Sequence, residues 1–265
     1  MPRLLQLSDL HVVAPGTMAS GVLDTPALLR NAIDAIVKQR GGIEPLDAVL
    51  VTGDISDDGT AESYIEARAQ LERLDLPLLL IPGNHDHRDT MRSAFADLSL
   101  MPKEGPVDWA TDLGTTRIVG LDSLVEGQGA GRLSETTLSH LRDSLADFHG
   151  DSVVVALHHP PLLTGIRFMD DIRLENVVEL AAILAPFNGE LLVVAGHVHG
   201  VHLGRVGGHP VVTAPSICSA FALDRRSDAP VGFNTGPTGY AVIDTVKDGL
   251  WSAVPLEPFD GPHAF

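Results

Sequence analysis

Residues 191–200 read Leu191-Leu192-Val193-Val194-Ala195-Gly196-His197-Val198-His199-Gly200: an apolar run that stops on a glycine and delivers two histidines. The run has the length and branching of a strand buried on both faces. Two imidazoles two positions apart point to the same side and make a good chelate, with a chance His-x-His as the competing reading.

The same punctuation recurs upstream. Val153–Leu157 ends on His158-His159-Pro160-Pro161, Leu78–Ile81 on Pro82-Gly83-Asn84-His85-Asp86, Ala48–Val51 on Gly53-Asp54-Ile55-Ser56-Asp57, and Leu4–Leu7 on Asp9-Leu10-His11. Taken singly, Asp9-Leu10-His11 reads equally as a solvated aspartate beside a surface histidine, and Gly53-Asp54 as a simple turn. Taken together they follow one rule: in α/β sheets, ligands gather beyond the carboxyl ends of strands, so clusters far apart in sequence converge in space. The donors are carboxylate, amide and imidazole without cysteine, a set suited to paired Mn, Fe, Zn or Co and not to a structural zinc finger. Asp57 is expected to support the ligands from behind, as are His159 and His202.

Between the strands lie helical patterns. Pro26–Lys38 shows apolar residues at helical spacing, with Thr25 as the expected N-cap and Gly41-Gly42 as the expected stop. Further helices are expected over Ala61–Leu74, Thr90–Leu98, Ser134–Phe148 and Leu174–Leu184, with a hairpin near Val107–Asp112 and Arg117–Leu121. After Gly200 the pattern becomes β-rich: Val201–Val206, Pro210–Ala214, Tyr240–Asp244 and Leu250–Val254 read as antiparallel strands joined by turns such as Gly207-Gly208. No repeat or linker divides the chain, so residues 1–265 are expected to form a single α/β domain. Its part 201–265 carries a long loop, 223–239, and a tail with Phe259 and Phe265, which are the expected places for substrate choice and oligomer contacts.

Composition narrows the partners. There are 18 basic against 35 acidic residues, a formal net charge of −17, so nucleic acid polymers and anionic membranes are expected to be repelled. The lone cysteine, Cys218, forms no internal disulfide and is expected to be a small core residue without a basic partner. The N-terminal apolar run is too short for a secretory signal, and no stretch reaches membrane-spanning length, so a cytoplasmic protein is expected.

The order Asp-x-His, Gly-Asp-x-x-Asp, Gly-Asn-His-Asp, His-x-Pro, Gly-His-x-His, spanning residues 9–199, resembles the calcineurin-like metallophosphoesterases, and within them the class III cyclic-nucleotide phosphodiesterases and bacterial glycerophosphodiesterases. The resemblance implies a four-layer α/β/β/α sandwich. It implies that Asp9, His11, Asp54 and His199 hold one divalent metal ion, that Asp54, Asn84, His158 and His197 hold a second, and that Asp54 bridges them. Asn84, His85 and His199 would contact substrate, with His85 near the phosphate and leaving group. The implied activity is hydrolysis of small phosphodiesters, such as cyclic AMP or glycerophosphodiesters, by in-line attack of a metal-activated hydroxide, in a homo-oligomer. A phosphomonoesterase, nucleotidase or pyrophosphohydrolase on the same scaffold is the alternative. A non-catalytic scaffold would be expected to have lost ligands, and none is missing.

Overall fold

The computed structural model describes residues 2–245 and 249–256. Strand and helix alternate through β1 (Arg3–Leu7), α1 (Thr25–Ile43), β2 (Ala48–Thr52), α2 (Ala61–Leu71) with a 3-10 turn (Glu72–Leu74), β3 (Leu78–Ile81) and α3 (Arg88–Ala94). The hairpin β4 (Trp109–Leu113) and β5 (Thr116–Leu121) follows, then α4 (Glu135–Ala146), β6 (Ser152–Leu157), the short α5 (Arg167–Asp170), α6 (Val177–Leu184) and β7 (Glu190–Ala195). The last strands are β8 (Leu203–Val206), β9 (His209–Thr213), β10 (Gly239–Asp244) and β11 (Trp251–Pro255).

They form two sheets, ordered β11-β10-β1-β2-β3 and β4-β5-β6-β7-β9-β8. β1, β2 and β3 run parallel, as do β5, β6, β7 and β9. Side chains alternate between faces with period two. Leu4 and Leu50 of the first sheet meet Ile118, Val154, Val194 and Val212 of the second in one buried layer. Their neighbours Leu5, Val49 and Val51 face the other way, onto Leu29, Ile33 and Tyr64 of α1 and α2. On the far side Val153, Val155 and Val193 pack beneath Leu138 and Leu141 of α4 and Leu180 and Leu184 of α6. The architecture is therefore helix, sheet, sheet, helix, as the resemblance implies. Strands covered on both faces explain why the apolar runs are continuous, and each fully buried aliphatic side chain contributes about 1.5–3 kcal/mol.

Several boundaries differ from expectation. The N-cap of α1 is Asp24, whose carboxylate accepts from the Ala27 amide; Thr25 Oγ1 accepts instead from the Val13 amide. α1 continues through Gly41-Gly42 to Ile43 and stops before Pro45, which has no amide hydrogen to offer. α3 starts and ends earlier than expected, and of the helix expected over Leu174–Leu184 only Val177–Leu184 is helical. The C-terminal strands do not form one antiparallel unit: β9 runs parallel to β7 in the second sheet, while β10 pairs antiparallel with β1 in the first. The β8–β9 turn does fall on Gly207-Gly208, both at positive φ as a two-residue hairpin turn requires. Residues 223–239 contain no helix or strand before Gly239, apart from an isolated bridge between Ala220 and Asn234 at the loop's base. Phe259 and Phe265 lie outside the described residues. No described helix is long and apolar enough to cross a membrane.

Candidate metal centre

The loops that leave β1, β2, β3, β6 and β7 meet at one end of the two sheets. They are bonded to one another: the Asp9 amide donates to Gly53 O (3.1 Å), the His11 amide to Asp54 O (2.8 Å), and the Gly196 amide to His158 O (3.1 Å). The His197 amide donates to the Asp9 carboxylate (2.9 Å to Oδ1) and the His85 amide to Asp54 Oδ1 (2.9 Å). Asp9, His11, Asp54, His197 and His199 all have left-handed backbones, with φ between 45° and 71°. Asp and His are among the few side chains found there, at about 1–3 kcal/mol each. Close packing explains two glycines. A Cβ on Gly53 (φ 93°) would lie 2.4 Å from His158 Nδ1, and one on Gly196 2.1 Å from Ser8 Oγ.

All seven proposed ligands converge. His11 Nε2 lies 3.1 Å from His199 Nε2 and 3.4 Å from Asp54 Oδ2, and His199 Nε2 lies 3.4 Å from Asp9 Oδ1. His158 Nε2 lies 3.3 Å from the same Asp54 Oδ2, 3.2 Å from Asn84 Oδ1 and 3.2 Å from His197 Nδ1. With Asp54 Oδ1 held by the His85 amide, Oδ2 is left between the two groups.

Each imidazole is aimed from outside. His11 Nδ1 is 2.9 Å from Asp57 Oδ1, His199 Nδ1 is 2.8 Å from Ser219 Oγ, His158 Nδ1 is 2.8 Å from Thr52 O, and His197 Nε2 is 3.0 Å from Ile172 O. A carbonyl or carboxylate oxygen only accepts, so Asp57, Thr52 and Ile172 require a ring N–H on the outer nitrogen of their imidazoles, and the inner nitrogen of the neutral ring presents a lone pair. Inward lone pairs and carboxylate oxygens at 3.1–3.4 Å repel one another unless positive charge lies among them. The donor set therefore fits cations.

The electrostatics agree. Burial opposes charge on Asp9 and Asp54, but His199 outweighs it at Asp9, and His158 and His11 outweigh it at Asp54, holding both carboxyls below their usual range. Burial keeps His197 and His199 below the ordinary imidazole range. At His158 burial is outweighed by Asp54, and the pKa is pushed up to about 9. His11 is raised well above normal against its burial, by Cys218, Asp54 and Asp57. The two carboxylates thus draw positive charge to the inner face of both groups.

His85 takes no part in either group. It stands at the mouth, 41% exposed, with Nδ1 3.0 Å from Asp57 O and its ring edge-on to His11. Asp57 thus touches both His11 and His85. His159 is buried, its nitrogens engaged with Ser123 Oγ (2.8 Å) and Gly129 O (3.1 Å), and its ring packs on His158 and His197. Burial and His158 push its pKa down to about 3. His202, expected beside them, makes no hydrogen bond to any of these ligands among the described residues; its amide donates to Thr213 Oγ1, and burial lowers its pKa. Asp86 accepts from the Ile55, Ser56 and Gly83 amides and from the Tyr64 hydroxyl, tying the β2 and β3 loops together.

The loop after β9 adds what the sequence reading missed. Cys218 is buried, but its sulfur lies within 4.8 Å of ring nitrogens of His11 and His199, so the expectation that no basic partner stands nearby is overturned. Ser219 orients His199, and Phe221 stacks on it at 4.4 Å between ring centroids. The available signal was the polar cluster Ser216-Ile217-Cys218-Ser219 just past a strand end, the rule that located the other five loops. Above the ligands opens a cleft of about 220 Å³, walled by Leu23, Phe168, Met169, Ile172, Phe221 and Phe233.

The family model for calcineurin-like phosphoesterases matches residues 2–201, which include every proposed ligand. A probable glycerophosphodiester phosphodiesterase of Arcobacter nitrofigilis is 33% identical over 99% of this chain and 96% of its own length. A 3',5'-cyclic adenosine monophosphate phosphodiesterase of Pseudomonas aeruginosa is 32% identical over 83% of this chain and 77% of its own. Among solved structures, a dimetal phosphatase from Danio rerio superposes with a TM-score of 0.68 over 97% of this chain and 96% of that one, at 15% identity, a likeness of fold.

Proposed function

Because the chain belongs to the calcineurin-like phosphoesterase family, we propose that it is a metal-dependent phosphodiesterase acting on small diesters, 3',5'-cyclic nucleotides such as cyclic AMP or glycerophosphodiesters. The observation that carries this reading is the position of Asp54 Oδ2, 3.4 Å from His11 Nε2 on one side and 3.3 Å from His158 Nε2 on the other. In this reading Asp9, His11, Asp54 and His199 hold one divalent cation, and Asp54, Asn84, His158 and His197 hold the other. When bound, the cations neutralise charge on the phosphoryl oxygens and lower the pKa of the attacking water.

The chain's own groups do the remaining work. Asn84 turns its amide oxygen to His158, which leaves its N–H groups to donate to a phosphoryl oxygen as charge builds there. His85 Nδ1 donates to the Asp57 carbonyl; this fixes the ring and leaves Nε2 to pass a proton to the leaving oxygen as the P–O bond breaks. The Asp57 carboxylate lies 3.4 Å from the same Nδ1. The aromatic walls of the cleft exclude water and strengthen these interactions.

The same reading takes Mn, Fe, Zn or Co as the metals, all compatible with oxygen and nitrogen donors. It takes the enzyme as one cytoplasmic domain in a homo-oligomer, with neither nucleic acid polymer nor membrane as partner. Steady-state kinetics after Mn or Co loading, on cyclic nucleotides, glycerophosphodiesters and p-nitrophenyl mono- and diesters, test the proposal. Diester turnover without comparable monoester turnover supports it; preferential monoester turnover would move the chain to the phosphomonoesterase alternative.

A further inference from the structure

Beside the metal cleft lies a second cavity of about 250 Å³, formed by the α5 segment and the 222–232 stretch of the long loop. The two share Phe168, which lines both. Phe221 stacks on His199 and meets Phe168 edge-on at 5.2 Å, and the next residue, Ala222, already belongs to the second cavity. The second cavity therefore adjoins the space in which a diester would sit over the ligands.

The chemistry of the walls narrows what this cavity would hold. Ile166, Pro230 and Val231 give the cavity an apolar wall. Asp224 pairs with Arg226 through Nε and Nη2 at the exposed rim, so the two together add no net charge. Arg167 and Asp171 stand one helical turn apart on the other side, again one charge of each sign. The cavity is thus locally balanced on a strongly acidic protein, which favours an uncharged ligand over a second phosphate. An aromatic side chain, a guanidinium and apolar walls together suit a flat heteroaromatic ring. The Asp171 carboxylate has no hydrogen-bond or ion-pair partner among the described residues and lines the cavity, so it is available to accept an N–H of that ring.

Resting on the phosphodiesterase reading, we propose that this cavity is the subsite for the purine base of a cyclic nucleotide, with Phe168 and Arg226 bounding the base and Asp171 accepting from its exocyclic amine. The long loop is then the element that separates nucleotides from smaller diesters.

The test compares wild type, Val231→Trp and Asp171→Asn on cyclic AMP, cyclic IMP, glycerophosphocholine and bis(p-nitrophenyl) phosphate, after Mn loading. Val231 is 77% exposed on the loop, so a tryptophan there fills the cavity without entering the core. Val231→Trp is expected to lower kcat/KM for cyclic AMP, relative to bis(p-nitrophenyl) phosphate, by about tenfold or more, chiefly through KM. Asp171→Asn, which can donate to the 6-oxygen of hypoxanthine, is expected to narrow the preference for cyclic AMP over cyclic IMP. If Val231→Trp slows all four substrates equally, or affects glycerophosphocholine alone, the base subsite is wrong. If wild type hydrolyses bis(p-nitrophenyl) phosphate but neither cyclic nucleotide, the subsite fails and the phosphodiesterase reading stands. If no diester is hydrolysed, the underlying reading fails.

Discussion

The two halves of the ligand cluster are built from similar donors but aimed in different ways. His158 and His197 are oriented by main-chain carbonyls, Thr52 O and Ile172 O. His11 and His199 are oriented by side chains, Asp57 and Ser219. Any residue supplies a carbonyl, so the first pair is fixed by the path of the chain and cannot be retuned by substituting its partner. The second pair is open to adjustment, and its partners come from loops that also border the cleft. An anionic partner such as Asp57 also makes His11 a more basic donor than a carbonyl would. One half serves as a rigid seat, and the other as the half whose affinity sequence change can set.

Asp54 belongs to both halves, so its loss abolishes the comparison. Asp54→Ala is expected to lose both metals, measured by elemental analysis, and to reduce diester turnover by about 10³-fold or more. Next is His85→Ala, which belongs to neither half: it should keep both metals while kcat falls roughly 10²–10³-fold. Wild-type turnover by this variant of a diester with an alkoxide leaving group, such as cyclic AMP or a glycerophosphodiester, would end its assigned role. The carbonyl-aimed half is reachable only through the backbone. In Gly53→Ala the added Cβ collides with His158 Nδ1; a fold retained by circular dichroism with turnover down on the order of 10²-fold would fit a ligand displaced by a fraction of an ångström. The side-chain-aimed half yields to gentler changes. Asp57→Asn should weaken binding of one metal of the two by about 10–100-fold, and Ser219→Ala by less, both read from metal titration. Equal weakening of both metals in Asp57→Asn would show that the halves are not independently aimed.

This asymmetry also sets what was legible in the sequence. The five strand-end clusters could be read because a buried strand must be apolar to its last residue, so polar ligands stand out at its end. The outward partners Thr52 and Ile172 could not, since their side chains are irrelevant to the bonds they make. Cys218, Ser219 and Phe221 follow β9, whose place beside β7 depends on a parallel pairing that local pattern does not reveal. Helix ends were misjudged for a related reason: Asp24 and Thr25 are both good N-cap residues, and Val13 claims the threonine. Gly41-Gly42 is compatible with a stop, but packing carries α1 on to Ile43, where Pro45 imposes a harder one.

The left-handed backbone at Asp9, His11, Asp54, His197 and His199 restricts how this enzyme can diverge. A replacement there must suit the metal and also tolerate a conformation that excludes β-branched and bulky side chains. Exchange among Asp, Asn, His and Gly remains possible, while Glu, Gln or Thr, otherwise reasonable donors, start at a conformational disadvantage. Variation in metal preference among its descendants should therefore accumulate in the residues behind the ligands sooner than in the ligands themselves.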